Sequence, residues 1–270
     1  MFTKLLAYEI RSRFRTDARS FGAFIAVIAV AAGLVAAGLP GISGSTAVLA
    51  YALCALTPVA CAIAAMADYW KTLYGQRGYF TMSLPISGRV IFWAKITRIA
   101  IECLLALALA VGGILAVASA AAWSDGISLA EYTAGPRSVV AGMPTFTVAL
   151  MIAAQLILAM SWIVQGCAVM SIGAQGRFNH LGFEAPIIGF VLVYVVNQVL
   201  STVGTFFLPL SVTTDGHFST EIMWTSYLAT MGTDGHPNVI GIGSYILVPL
   251  FALILGLWAS RSIEKHTSLR

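Results

Sequence analysis

Charge is what this sequence has least of. Only 10% of its 270 residues are Asp, Glu, Lys or Arg, where a soluble domain carries about 25%. Three long stretches, 20–67, 103–124 and 138–176, hold none at all. With 59% hydrophobic residues and a mean hydropathy of +0.89, the chain has more apolar surface than a soluble fold of this size can hide. Its solvent is lipid. That excludes an ordinary soluble enzyme or binding module and predicts an all-α polytopic membrane protein.

Cysteine is scarce as well. Cys54, Cys61, Cys103 and Cys167 all fall inside apolar runs and read as free thiols packed like small hydrophobes. Cys54 and Cys61 share a helix face, but two thiols without His or carboxylate neighbours make a poor metal site. No bound metal is expected. A cleavable signal peptide is not expected either. The first apolar run begins only at Phe21 and is long enough to span.

What charge there is lies in a few places. Residues 1–19 carry Lys4, Arg11, Arg13, Arg15 and Arg19 around an apolar stripe of Leu6, Ile10 and Phe14, spaced by four. This pattern predicts an amphipathic helix lying in the membrane interface. The 48 uncharged residues 20–67 are too long for one span and are divided at LPGISGS (39–45), giving spans near 21–39 and 46–66. Pro58 is accommodated in the second as a kink. A third span is expected at 99–122 and a fourth at 141–172 after a non-helical lead-in. A fifth is expected at 185–208 and a sixth at 239–259, followed by a basic tail, 260–270. The whole reads as a single transmembrane domain.

The second concentration of charge, 68–98, holds a third of the basic residues (Lys71, Arg77, Arg89, Lys95, Arg98) among seven aromatics. It is expected as a loop at the membrane surface. With six spans, Lys and Arg number five before the first span, five in 68–98, one in 173–184 and three in the tail. Arg137 stands alone on the other side. The positive-inside rule therefore predicts both termini and the 68–98 loop in the cytoplasm.

The chain also lacks chemistry. No G-x-x-x-x-G-K-[ST], HExxH or GxSxG string occurs, so nucleotide hydrolysis by this chain and the common hydrolase mechanisms are not expected. Nor is any other enzyme activity. The DGH repeats at 215–217 and 234–236 read as solvated loop. Within the spans the one ionisable residue is Glu102. It stands four after Arg98, and an i,i+4 pair explains it. Ion-coupled transport, which uses ionisable groups inside the bilayer, is therefore not expected, and energy for any transport would come from another subunit.

The stretch Tyr74-Gly-Gln-Arg-Gly-Tyr-Phe-Thr-Met-Ser-Leu-Pro-Ile-Ser-Gly-Arg89, followed by Ala94-Lys95, resembles the segment between the second and third spans of type-2 ABC transporter permeases. The local likeness covers about 25 residues; the six-span outline and the basic N-terminal helix agree with it. The resemblance implies the membrane subunit of an ATP-driven exporter whose 68–98 loop holds a short coupling helix docking on a separate ATPase. On that reading Arg77, Tyr79, Phe80, Leu84, Pro85 and Arg89 face the ATPase, with Thr81 and Ser83 as candidate caps. Two ATPase subunits would carry ATP and Mg, none bound by this chain, and a second permease chain would complete a homo- or heterodimer. Membrane lipid, and no nucleic acid, completes the expected partners. The amides Gln155, Gln165 and Asn197 become candidates for a path taken by a hydrophobic or amphipathic substrate such as a peptide, lipid-like molecule or drug. The alternative readings are a non-transporting sensor or assembly factor, or an intramembrane enzyme.

Overall fold

The computed structural model describes residues 1–39, 41–75, 78–83, 85–182, 184–231 and 235–265. The chain is an all-α polytopic membrane protein. Among the described residues six helices are long and apolar enough to cross a bilayer: α1 (Phe2–Ala36), α2 (Ser43–Leu73), α4 (Gly88–Ser124), α7 (Thr145–Gly173), α8 (Glu184–Phe207) and α10 (Ser244–Lys265). Helices are the natural result where no water is present to satisfy backbone N–H and C=O groups. Short pieces lie between them: α3 (Gly78–Ser83), α5 (Leu129–Tyr132), α6 (Ala134–Ala141), a 3-10 turn (Gly176–Leu181) and α9 (Met223–Thr230).

Several elements differ from expectation. The amphipathic stretch 1–19 is helical but continuous with the first span, forming the 35-residue α1. Its Ile10 and Phe14 stripe stays exposed, while Leu5 and Glu9 are buried. Most of 68–98 is not loop: α2 continues to Leu73 and α4 starts at Gly88. The lead-in to the fourth span forms α6, and Pro144 caps the start of α7. The sixth span starts at Ser244, because Val239–Gly241 pairs as a strand.

The chain divides into two compact units. The first comprises Met1–Thr72 and Trp93–Ser138, with a core of Ile28, Ala50, Cys54 and Val117 under Phe24 and Tyr51. The turn from α1 to α2 uses Gly38 and Gly41 at φ 62° and 77°, left-handed values that an L side chain resists. A Cβ on Gly113 would lie 2.7 Å from Cys54 Sγ, so this glycine lets α4 approach α2 closely.

The second unit comprises Leu73–Phe92 and Val139–Arg270. Here α7 packs on α10 and α8 through small residues. A Cβ on Gly189 would meet Val169 Cγ1 at 2.6 Å, and one on Gly204 would meet Ser244 N at 2.6 Å. Between α8 and α10 lies a small antiparallel sheet of order β2-β1-β3, made by β1 (Ser211–Thr213), β2 (Phe218–Ser219) and β3 (Val239–Gly241). The first DGH is its hairpin turn. Gly216 at φ 82° is the residue that a turn of this hand requires, and its carbonyl accepts from Thr147 Oγ1 at 2.7 Å.

Candidate functional site

The segment carrying the resemblance starts where α2 ends. The chain turns at Gly75, whose carbonyl accepts from Gly78 N at 2.8 Å, and enters the six-residue α3. It leaves through Pro85, whose ring fixes φ. Ser87 O then accepts from Val90 N and Ile91 N at 3.0 and 3.2 Å to begin α4. Thr81 and Ser83 lie within α3 itself, not before it. Tyr79 is 55% exposed, and Pro85 and Arg89 are exposed too. Arg77 and Leu84 lie outside the described residues, as does the side chain of Phe80.

The exit of this segment is held against α10. A Cβ on Gly88 would lie 2.8 Å from Ile263 Cγ2 and 3.0 Å from Glu264 N, so only a glycine lets the chains come this close. One residue on, Arg89 Nε meets Glu264 Oε2 at 3.3 Å. Part of the charge that sequence reasoning assigned to a partner is thus engaged within the chain.

The three path candidates separate. Gln165 and Asn197 are buried and bonded to each other: Asn197 Nδ2 donates to Gln165 Oε1 at 2.5 Å, and Gln165 Nε2 reaches Asn197 Oδ1 and Val248 O, each at 3.3 Å. They join α7, α8 and α10. A further neutral bond joins Gln175 Nε2 to Ser262 Oγ at 2.7 Å. Gln155 is exposed on α7, its Oε1 accepting from Tyr245 Oη at 3.0 Å. Among α7, the 3-10 turn, α8 and α10 lies a groove of about 380 Å³ whose lining, including Phe178, Leu192, Phe251 and Trp258, is almost entirely apolar.

Of a second polar centre, in the first unit, sequence reasoning found only the Arg98–Glu102 pair, which the structure shows. Lys95 Nζ donates to Glu9 Oε1 at 2.9 Å and to Thr72 Oγ1 at 3.1 Å. Arg98 Nη2 reaches Asp68 Oδ2 at 3.2 Å, its Nη1 bonds Glu102 Oε1, and its Nε lies 3.9 Å from Glu9 Oε2. Arg13 Nη1 donates to the other oxygen of Asp68 at 2.8 Å, and its Nε stands 3.8 Å from Asp17. Lys95 and Arg98 are only 2% and 1% exposed, although both had been placed in a surface loop. The signal was present: Lys95, Arg98 and Glu102 lie at i, i+3 and i+7, on one helix face, as do Glu9, Arg13 and Asp17 at spacings of four.

Among the described residues no group of three or more His, Cys, Asp and Glu is placed to hold a metal ion. Asp215, His217 and His236 are exposed, and Asp234 lies outside the described residues. The four cysteines are free thiols.

Fold and site together define a six-span, all-α membrane protein with a short helix between its second and third spans. Compared with family models, curated proteins and solved structures, the chain matches none.

Proposed function

We propose that the chain is the permease subunit of an ATP-driven exporter of the type-2 ABC kind, exporting a hydrophobic or amphipathic substrate. The observation that carries this reading is α3. A short helix with an exposed tyrosine sits between the second and third spans and runs into the string Thr81-Met-Ser-Leu-Pro-Ile-Ser87, part of the stretch that resembles the coupling segment of those permeases. Two ATPase subunits supply ATP and Mg, a second permease chain completes the complex, and this chain contributes no catalytic residue. The excess of Lys and Arg on one side supports both termini and α3 facing the cytoplasm of a bacterial cell. Closure of the ATPase pair on ATP then pushes on α3. The Gly88 and Arg89 contacts with the end of α10 offer a route for that push into the spans of the second unit.

The experiment is co-purification of the ATPase with Tyr79→Ala and with the exposed Trp123→Ala. An aromatic anchor at an interface centre costs about 2 kcal/mol or more on truncation. Tyr79→Ala is expected to lose bound ATPase or its turnover while Trp123→Ala keeps both; equal loss in the two removes the coupling reading. Orientation is read separately. A cysteine at Thr213 should react with an impermeant thiol reagent in intact cells and one at Ser87 should not.

A further inference from the structure

The apolar groove of the second unit runs lengthwise between two spans. Ile188, Leu192 and Val196 of α8, spaced by four, line one side, and Phe251 and Trp258 of α10 line the other. The inner end stops at Val196, the neighbour of Asn197 in the buried amide pair. The outer end is at Trp258 and at Phe178 of the 3-10 turn, where the chain leaves the spans. From Ile188 to Val196 the helical rise gives about 12 Å. One leaflet of a hydrocarbon core is about 15 Å deep, so the groove follows most of a leaflet.

The lining selects the occupant. Of its side chains only Trp258 carries a hydrogen-bonding group, the indole N–H. A ligand with polar groups along its length would leave them unpaired here. Ile188, Leu192 and Trp258 are 49%, 61% and 48% exposed, so in a span the groove opens sideways to hydrocarbon. Its volume of about 380 Å³ falls within the range of about 300–1,000 Å³ for ligand pockets. At the outer end Trp258 offers its N–H where indoles lie in the head-group belt. Arg261, three residues on, is exposed. A flexible apolar chain that ends in an anionic group matches both the groove and its outer end.

We propose that this groove seats one acyl chain of an anionic phospholipid from the surrounding bilayer, with the phosphate at Arg261 and the ester region at the Trp258 indole. The acyl chain fills space between α8 and α10 that the described side chains leave open. Spans held by glycine approaches and a neutral amide pair thereby gain a lipid as part of their packing. Every residue of the site belongs to the second unit, and the site is independent of the exporter reading.

The test is photolabelling of the full-length chain in vesicles of phosphatidylcholine and phosphatidylglycerol, with a trace of either lipid carrying a diazirine in its acyl chain. Labelled phosphatidylglycerol is expected on Ile188, Leu192 and Val196 several-fold above Val191, Val195 and Val199, which are exposed on the same helix outside the groove. Leu192→Trp puts a larger ring over the groove and should remove that excess, while Val195→Trp should keep it. Arg261→Gln should lower the preference for labelled phosphatidylglycerol over labelled phosphatidylcholine about fivefold, the worth of one cation near an anionic surface. Heat stability in detergent gives a second reading: added phosphatidylglycerol should raise the midpoint of the wild type and of Val195→Trp, but not of Leu192→Trp. Equal labelling of the two faces of α8 means boundary lipid alone and overturns the proposal. So does groove labelling that survives Leu192→Trp, or equal labelling by the two phospholipids in the wild type. If the groove stays unlabelled and Leu192→Cys joins two copies by a disulfide, the occupant is a second copy and the proposal falls.

Discussion

The two units hold their spans together with different polar chemistry. In the first, charged side chains meet: Lys95, Arg98 and Arg13 against four carboxylates on α1, α2 and α4. In the second, neutral groups meet: Gln165 with Asn197, and Gln175 with Ser262, among glycines that let α7, α8 and α10 touch. The difference lies in tolerance. A buried ion pair is held in place by the cost of leaving either partner alone. A neutral amide pair forfeits only desolvation when broken, and little if both partners are replaced together. The first unit is therefore specified by charge completeness and the second by shape.

The largest expected effect follows directly. Arg98→Met leaves Glu102 without its cation and Asp68 with Arg13 alone, and should destabilise the fold by about 3–5 kcal/mol, read as a lower unfolding midpoint in detergent. A mild loss would mean that water reaches the seam and that the contrast between the units is false. Next comes shape. Gly204→Ala places a methyl 2.6 Å from Ser244 N and 2.8 Å from Gly243 C, backbone that cannot rotate away. Overpacking of this kind costs about 1–3 kcal/mol, and the matching observation is reduced heat stability with unchanged helix content.

The amide pair falls in the same range. Gln165→Leu or Asn197→Leu leaves one buried amide short of a partner, at about 1–3 kcal/mol, and the double variant should recover part of that loss. The coupling from the double-mutant cycle should be about 0.6–1.7 kcal/mol, the range for hydrogen bonds between membrane helices. Coupling as large as that of an ion pair would erase the distinction. Smallest of all is Arg89→Ala. Its contact to Glu264 is more than half exposed on the arginine side, so its loss should change stability by about 0–1 kcal/mol. A larger drop would make this contact a structural clamp on α10.

The fold was legible because hydrocarbon leaves the backbone one economical solution. The uncharged runs 20–67, 103–124 and 138–176 and the Leu39–Ser45 break, read from composition alone, correspond to α1, α2, α4 and α7. Boundaries were harder. Burial of Tyr69 and Leu73 accompanies the extension of α2, and burial of Ile91, Phe92, Lys95 and Arg98 that of α4 back to Gly88, whereas charge suggested loop. Val239–Gly241 was apolar enough for a span but found an antiparallel partner at Ser211–Thr213. The Asp215-Gly-His turn was read as a loop without its hairpin, since Gly216 shows its left-handed φ only when β1 and β2 pair.

The sequence by itself determined the solvent, the helical class and the six spans, because apolar length is a local property of the chain. Only the tertiary structure decided which polar groups meet. Glu9 and Lys95 are 86 residues apart, Arg13 and Asp68 are 55 apart, and Gln165 and Asn197 are 32 apart. Each pairing depends on the rotation and axial register of one helix against another. Those are set by where glycines and alanines allow close approach, and no local pattern of hydropathy encodes them.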